Sequence, residues 1–297
     1  MQPMVRRSLL VVSPLDDGAL TDAANSVADA IVLDLASRIP EHQRGDARRA
    51  TAFPLERLSS GGAELLLWTD ADGIEADLTA CGRGAIVGVL TAVDTPEEVH
   101  IIHEALNRWE AANNVPTSAT TLELVVATAK AVQNADRLAA ASPRTVAMAL
   151  DDAMLLGELG VATPDTSDTL LYHRGRMAVA ARSAGIQAHA LYYAGATAHD
   201  RAVVARQTGL RGSLCFNPDD VAAINVGFSP SRHEVDAARQ VLDAMQVAIE
   251  GGRGAVAVSS GQMADLANVR GANSIIAWDE AVQRRDAAKT MTIAPSS

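Results

Sequence analysis

Short, near-continuous apolar runs recur along the whole chain, and stretches of helical spacing separate them. The runs are Ser8–Ser13, Ala30–Leu35, Glu64–Thr69, Ala85–Leu90, Leu122–Thr128, Thr145–Leu150, Gln187–Tyr192 and Ser213–Phe216. They do not alternate apolar with polar, which is how strands covered on both faces read. Between them lie amphipathic stretches such as Leu20–Ala28, Asp168–Ala184 and Asp200–Thr208. Pro96–Glu110 carries a full start signal, with Thr95 as N-cap, proline in the first turn and Glu97 and Glu98 at the positive end of the helix dipole. Eight strands interleaved with helices predict an α/β fold closed as a (β/α)₈ TIM barrel rather than an open sheet.

After the eighth run, Ser231–Glu250 reads as a long amphipathic helix, Ala255–Ser260 as a short apolar run, and the chain from about Ala264 as a last helix. The tail Thr290–Ser297 reads as frayed. The predicted organisation is a barrel over 1–250 and a C-terminal helical extension over 251–297, packing on the barrel or on a neighbouring subunit. No internal repeat appears beyond the strand–helix rhythm.

Composition narrows the function. Only 3% of the 297 residues are aromatic, so Ala, Val and Leu must fill the core, as barrel layers favour. The net charge of -11 repels phosphate backbones and excludes nucleic acid as an expected partner. The basic cluster Arg44, Arg48 and Arg49 falls on a predicted helix and reads as a solvated face. Cys81 and Cys215 make neither a disulfide framework nor a zinc site. The opening apolar run is too short to span a membrane and lacks a small-residue cleavage site. The chain reads as cytoplasmic, without a membrane partner, and as a homo-oligomer.

Several segments resemble the citrate lyase β-subunit-like (HpcH/HpaI aldolase) family, in the family's order. Ala28-Asp-Ala-Ile-Val-Leu-Asp34-Leu35 is similar to its "gADavilDLEDaV" strand, and Ala141-Ser-Pro-Arg with Glu158-Leu-Gly160 to "asPr…aeDLaadLG". Ala180-Ala-Arg-Ser-Ala-Gly-Ile186 resembles "AAraaGi", and Gly209–Pro218 resembles "GfdGklaIHP". Phe228-Ser-Pro230 matches "FtPs", and Gly261-Gln-Met-Ala-Asp265 matches "GxMvD". The resemblance runs from about residue 6 to 280. It implies a barrel with its site at the C-terminal strand ends and carbon–carbon cleavage of citryl-, malyl- or citramalyl-type thioesters. In that chemistry Mg²⁺ is held by a Glu and an Asp from successive strands, an Arg binds the substrate oxyanion, and an Asp from a neighbouring subunit serves as acid/base.

The chain departs from the family at most of these positions. The metal Glu after the fifth strand falls on Ala127, counted without gaps, beside Thr128; the family's Arg and Gly fall on Lys130 and Ala131. Glu123 lies roughly 13 Å upstream at strand rise and cannot substitute in that register. The "ED" pair of the sixth strand falls on Ala153-Met154, with Asp151-Asp152 two residues early, so Asp152 reaches the metal position only through a two-residue shift. The third strand has Trp68-Thr69-Asp70 and no arginine; the fourth has Ala92 where the family has Lys. Ala36 stands for the Glu of "DLED", Asn217 for the His of "IHP", and the first strand ends Ser13-Pro14-Leu-Asp16-Asp17 without the family's following Arg. Asp34 and Asp265 are retained.

Each retained group has two readings. Asp34 is a pocket residue or a loop-capping acid, and Asp265 a catalytic acid or a helix N-cap. Asp16, Asp17, Asp34, Asp70, Asp151 and Asp152 form a substitute acidic site or are ordinary turn and cap carboxylates. His189 reads as a satisfied core histidine, His199-Asp200 as a helix start, and His100 and His103 as residues sharing a helix face without a third zinc ligand nearby in sequence. Ser259-Ser260-Gly261 lacks the nucleophile-elbow pattern. Gly82-Arg-Gly84 and Gly251-Gly-Arg-Gly254 read as turns. Trp68, if turned into the mouth, fills substrate space; Asp34, Trp68 and Asn217 are the expected pocket residues.

The expected function is therefore a divergent lyase-family barrel, impaired or non-catalytic in Mg²⁺-dependent cleavage, that binds a small anionic or acyl-thioester ligand. The first alternative is an active lyase whose Mg²⁺ site is rebuilt from Asp152, Asp34 or the Asp16/Asp17 loop. The second is a structural subunit of a lyase complex.

Overall fold

The computed structural model describes residues 4–59, 62–82, 86–161, 167–191, 198–251, 256–257 and 263–293. In chain order the barrel elements are β1 (Ser8–Val12), α1 (Asp17–Asn25), β2 (Ala30–Asp34), α2 (Arg44–Ser59), β3 (Glu64–Thr69), α3 (Ile74–Cys81), β4 (Gly88–Ala92) and α4 (Pro96–Asn113). There follow β5 (Thr121–Val126), the short helices α5 (Ala129–Gln133) and α6 (Ala135–Ala140), β6 (Thr145–Leu150), α7 (Asp152–Glu158) and α8 (Ser167–Ser183). β7 (Gln187–Leu191), α9 (Ala198–Gln207), β8 (Gly212–Cys215) and α10 (Val221–Phe228) complete the set. All eight strands pair in parallel in sequence order, and β1 pairs with β8, so the sheet closes. The predicted barrel is what forms.

Two compact units divide the chain. One is Arg6–Phe228; the other is Ser229–Met291, to which the chain up to Val5 also belongs. The second unit holds α11 (Arg232–Glu250), the small antiparallel pair β9 (Val256–Ala257) and β10 (Met263–Ala264), and α12 (Leu266–Ile293). A Ser231–Glu234 capping box opens α11, and its apolar stripe (Ala238, Val241, Met245, Ala248) packs against Ala272 of α12. The border between units falls at Phe228/Ser229, before α11, because α11 and α12 share a core. The expected fraying from Thr290 is also corrected, since α12 continues to Ile293. Tyr192, the Ser259-Ser260-Gly261 segment and residues 83–85 and 252–254 lie outside the described residues, as do parts of the Ala255–Ser260 and Gly261–Asp265 matches.

Strand alternation sorts the barrel into two cores. Leu9, Val11, Ala30, Val32, Leu66, Trp68, Leu90, Val125, Ala149, Leu191 and Leu214 form a cluster drawn from strands alone, the barrel interior. The intervening strand residues, Leu10, Ile31, Leu33, Leu65, Leu67, Val89, Leu124 and Met148 among them, pack outward in the larger core that the helices share. Two interior glycines are obligatory. A Cβ on Gly212 would stand 1.9 Å from the Arg6 carbonyl oxygen, and one on Gly88 would stand 2.4 Å from Thr121 Oγ1.

Polar groups fill the floor of the barrel. Arg6 Nε donates to Glu64 at 2.7 Å and Nη2 to Thr121 at 3.2 Å, while Nη1 lies 3.7 Å from Glu123. His189 Nδ1 meets Glu123 Oε1 at 2.6 Å and its Nε2 meets Gln187 at 3.2 Å. His189 is thus a bonded core residue, and Glu123 is committed to the floor. Buried charge of this kind costs several kcal/mol per ion unless partners are in place. The Glu123→Leu variant should therefore lose roughly 3–5 kcal/mol of stability, because His189 keeps its burial and loses its carboxylate partner while Arg6 is left with Glu64 alone; urea unfolding monitored by circular dichroism measures it.

A second buried pair ties α4 to the strands behind it. Arg144, just before β6, donates to both Glu110 oxygens at 2.7 and 2.6 Å. The Ser118 and Thr120 amides donate to the same carboxylate. Burial pushes the Glu110 carboxyl up, but the bonds from Arg144, Thr120 and Ser118 outweigh it and hold the group at about 2, against an ordinary 4.5. A carboxyl depressed in the folded state adds stability above its unfolded value and loses it as pH falls through the folded one. The stability gap between wild type and Glu110→Ala should be full above about pH 4.5 and shrink progressively toward about pH 2. Denaturant titrations of the two proteins across that window test this.

Candidate active site at the barrel mouth

The C-terminal strand ends form the mouth. Thr128 caps α5 by accepting from the Ala131 amide at 3.0 Å, which fixes Ala127 immediately beyond β5. Asp151 caps α7 by accepting from Met154 at 3.0 Å. Ala153 and Met154 therefore stand in the first turn of α7, where Met154 is 60% exposed. Ala92 is the exposed end of β4. At the β4–β6 strand ends Ala92, Ala127, Ala153 and Met154 offer neither a carboxylate nor a cation, while the neighbouring Asp94, Asp151 and Asp152 are engaged by Thr128, the Met154 amide and Arg174. Among the described residues, no group of three or more His, Cys, Asp or Glu side chains could hold a metal ion. Mg²⁺ needs oxygen ligands, in practice one or two carboxylates plus substrate oxygens, and the donor set at these positions does not fit it.

Trp68 closes the centre. It sits at the end of β3, 4% exposed, within the interior cluster, with Ala36 and Phe216 packed against that cluster. It occupies the top of the barrel that its place in the alternation predicts.

The mouth acids are engaged by their own loops. Asp34 ends β2 and is 1% exposed. One oxygen accepts from the Ala36 and Ser37 amides at 3.1 and 2.7 Å, the other from Ser37 Oγ and the Arg38 amide at 2.8 and 3.0 Å. Asp34 therefore organises the β2–α2 loop, and it also lines a cleft. Asp16 caps α1 through the Ala19 amide at 2.9 Å. Asp70 accepts from the Gly73 amide at 2.7 Å and pairs with Arg44 at 2.6 Å. Asp152 pairs with Arg174 of α8. Burial pushes the Asp152 carboxyl up, Arg174 pulls against it, and Asp151 adds to the rise. Asn217 follows β8 and caps the 3₁₀ turn Pro218–Asp220 by accepting from the Asp219 amide at 3.1 Å. Asp265, in the C-terminal unit, accepts from the Ala267 and Asn268 amides at 2.9 Å and so caps α12.

The remaining polar candidates are also placed. Arg48 pairs with Asp77 at 2.6 Å and Arg49 with Asp46, so the basic cluster is matched by carboxylates. His103 bonds Ser142 Oγ at 2.8 Å, and His199 with Asp200 lies in the first turn of α9. Burial pushes both thiols, Cys81 and Cys215, up to about 12, with Asp77 and Asp220 adding to the rise. Thiols held that high are poor nucleophiles.

Open space remains to one side of Trp68. A cleft of about 370 Å³ lies over the ends of β1, β2 and β8, lined by Ser13, Asp16, Asp34, Arg38, Gln43 and Phe216 among others. The Arg38 guanidinium carbon sits 3.7 Å from the centre of the Phe216 ring. Neither Arg38 nor Phe216 was legible as a site residue. Arg38 belongs to no spacing motif, and Phe216 reads as the last apolar residue of a strand. The one available signal was the loss of cations at the usual positions, which directs attention to any arginine near a strand end.

The chain is similar to known proteins along most of its length. The family described as HpcH/HpaI aldolase/citrate lyase matches residues 7–218. The citrate lyase subunit beta of Escherichia coli (strain K12) is 29% identical over 268 residues, 88% of each chain. The L-malyl-CoA/beta-methylmalyl-CoA lyase of Rhodobacter capsulatus is 26% identical over 283 residues, 85% of this chain and 88% of that one. Among solved structures, a citrate lyase from Burkholderia xenovorans LB400 superposes with a TM-score of 0.80 at 15% identity, covering 97% of both chains. Protein CitE of Mycobacterium tuberculosis, solved with magnesium, acetoacetate and coenzyme A, superposes with a TM-score of 0.69 at 23% identity, covering 95% of this chain and 98% of that one. A closed eight-stranded parallel barrel, with a family match over most of its length, places this chain in the HpcH/HpaI aldolase/citrate lyase family.

Proposed function

We propose that this chain is a divergent member of its carbon–carbon lyase family that lacks efficient Mg²⁺-dependent cleavage of acyl thioesters and instead binds a small anionic or acyl-thioester ligand. One observation carries the reading. Ala92, Ala127 and Met154 stand at the strand ends and helix start, the positions on which a gapless count from the family resemblance puts its Lys, metal Glu and metal Asp. Without the cation and the arginine, an enolate or keto oxyanion loses its principal stabilisation. Removing even one such donor can cost roughly 10²–10³ in rate.

The rival reading, a metal site rebuilt from nearby acids, draws less support. Asp152 would have to leave Arg174, and Asp34 would have to leave two backbone amides and a hydroxyl on its own loop plus the Arg38 amide. Either exchange spends charge-assisted bonds that are shorter and stronger than neutral ones. The similarity to a citrate lyase subunit and a malyl-CoA lyase supports the thioester class of ligand for this chain.

Calorimetric titration with Mg²⁺, paired with cleavage assays on citryl- and malyl-CoA, tests the proposal. The expected result is no micromolar Mg²⁺ binding and no turnover above background. The double variant Ala127→Glu/Met154→Asp should gain Mg²⁺ affinity, because it returns two carboxylates to adjacent strand ends. Micromolar Mg²⁺ binding with ordinary turnover in the wild type overturns the reading.

A further inference from the structure

A charged donor and a charged acceptor face each other across the barrel floor without touching, and we propose that a single buried water molecule binds between them. The site lies among residues at the N-terminal ends of the strands and is independent of the chemistry at the mouth.

The two atoms are Arg6 Nη1 and Glu123 Oε2. They lie 3.7 Å apart, on side chains that are 2% and 0% exposed. Neither has a hydrogen-bond partner among the described residues. A buried donor or acceptor left unmade has given up its hydration for nothing, and the loss is greatest on a charged group. Folded proteins satisfy nearly all such atoms, either with protein groups or with ordered water. A polar approach longer than about 3.5 Å is the setting in which water intervenes.

The gap is fixed from both sides. Arg6 Nε donates to Glu64 Oε2 at 2.7 Å and Nη2 to Thr121 Oγ1 at 3.2 Å. Those bonds set the plane of the guanidinium, and with it the position of Nη1. Thr121 is itself tied to the Val87 carbonyl at 3.1 Å. The Arg6 backbone is closely packed too, since a Cβ on Gly212 would stand 1.9 Å from its carbonyl oxygen. Opposite, Glu123 Oε1 lies 2.6 Å from His189 Nδ1, and His189 Nε2 lies 3.2 Å from Gln187 Oε1. Closing Nη1 onto Oε2 would stretch one of these contacts.

The chemistry of the gap selects its occupant. A cation there would press on the Arg6 guanidinium, and an anion would press on the Glu123 carboxylate. A neutral group that accepts from Nη1 and donates to Oε2 suits both, and water does so with one heavy atom. Two charged partners fall within the roughly two to four that buried waters use. Glu64, with 28% of its side chain exposed, is a point at which the cluster meets solvent. Arg6 is then joined directly to Glu64 and through water to Glu123.

A high-resolution crystal structure of the full chain, with a second crystal soaked in rubidium, tests the proposal. The expected result is a density peak within about 2.7–3.2 Å of both atoms, unchanged by the soak. In solution, magnetic relaxation dispersion of the water oxygen should show one long-lived water fewer in the double variant Arg6→Met/Glu123→Met than in wild type. That variant removes donor and acceptor together, so neither is left stranded. Circular dichroism establishes that it is folded; should it not fold, the wild-type density decides alone. Direct contact between Nη1 and Oε2 with no peak between them overturns the proposal. So does a peak that gains rubidium's anomalous signal, which would make the occupant a cation, or an equal dispersion amplitude in wild type and folded variant.

Discussion

Eight parallel strands close only when the space they enclose is filled, and in this chain that requirement is met by unlike means at different heights. Leu9, Val11, Val32, Leu66, Leu90, Val125 and Leu214 fill the middle with branched aliphatic side chains, as close packing demands. The floor is filled by ions, with Arg6 set among Glu64, Thr121 and Glu123, and His189 completing the Glu123 carboxylate. Gly212 and Gly88 make room there, since a Cβ at either would collide with Arg6 or Thr121. The top is filled by Trp68. The floor and the top therefore answer to different constraints. Changing the floor strands a buried charge, whereas changing the top alters the shape and chemistry of the mouth.

The mouth shows why acids near a strand end need not make a metal site. A carboxylate leaving water must recover its hydration from fixed donors. In βα loops the nearest donors are the amides of the following turn, and Asp34, Asp16, Asp70 and Asp151 all accept from them. Asp152 recovers its loss from Arg174. A metal would have to compete with these partners, and it would have to do so without the convergence of oxygens that a divalent ion requires. The identity of the residue at each strand end thus decides the chemistry, while the number of acids in the neighbourhood decides little.

Much of the fold was legible because it rests on local signals. The apolar runs at Glu64–Thr69 and Thr145–Leu150 match β3 and β6 residue for residue, since both are bounded by polar turns. Thr95 and Ser231 begin their helices with side-chain caps, which spacing alone specifies. The starts of β4 and α1 were less legible: β4 begins three residues later than its apolar run, and α1 begins at Asp17, in polar sequence that hydrophobic spacing overlooks. At the site, the placing of Ala92 and Ala127 at the ends of β4 and β5 was readable from strand order. The engagement of Asp152 by Arg174 was not, because the pair joins α7 to α8 across 22 positions. The stacking of Arg38 on Phe216 was equally hidden, because it brings together the β2–α2 loop and the end of β8.

The separation between barrel and mouth would let one be kept while the other changes. Apart from Trp68, the interior cluster and the ionic floor lie below the C-terminal strand ends, and the Arg144–Glu110 clamp joins the start of β6 to α4. None of them draws on Ala92, Ala127 or Met154. Replacing a metal-binding Glu by Ala at the end of a strand removes no core contact and leaves no buried partner stranded, provided the ion is lost with it. Such a replacement even relieves the repulsion that two neighbouring carboxylates impose when no cation lies between them. Arg38 on Phe216 likewise lies outside the strands, in the β2–α2 loop and just after β8.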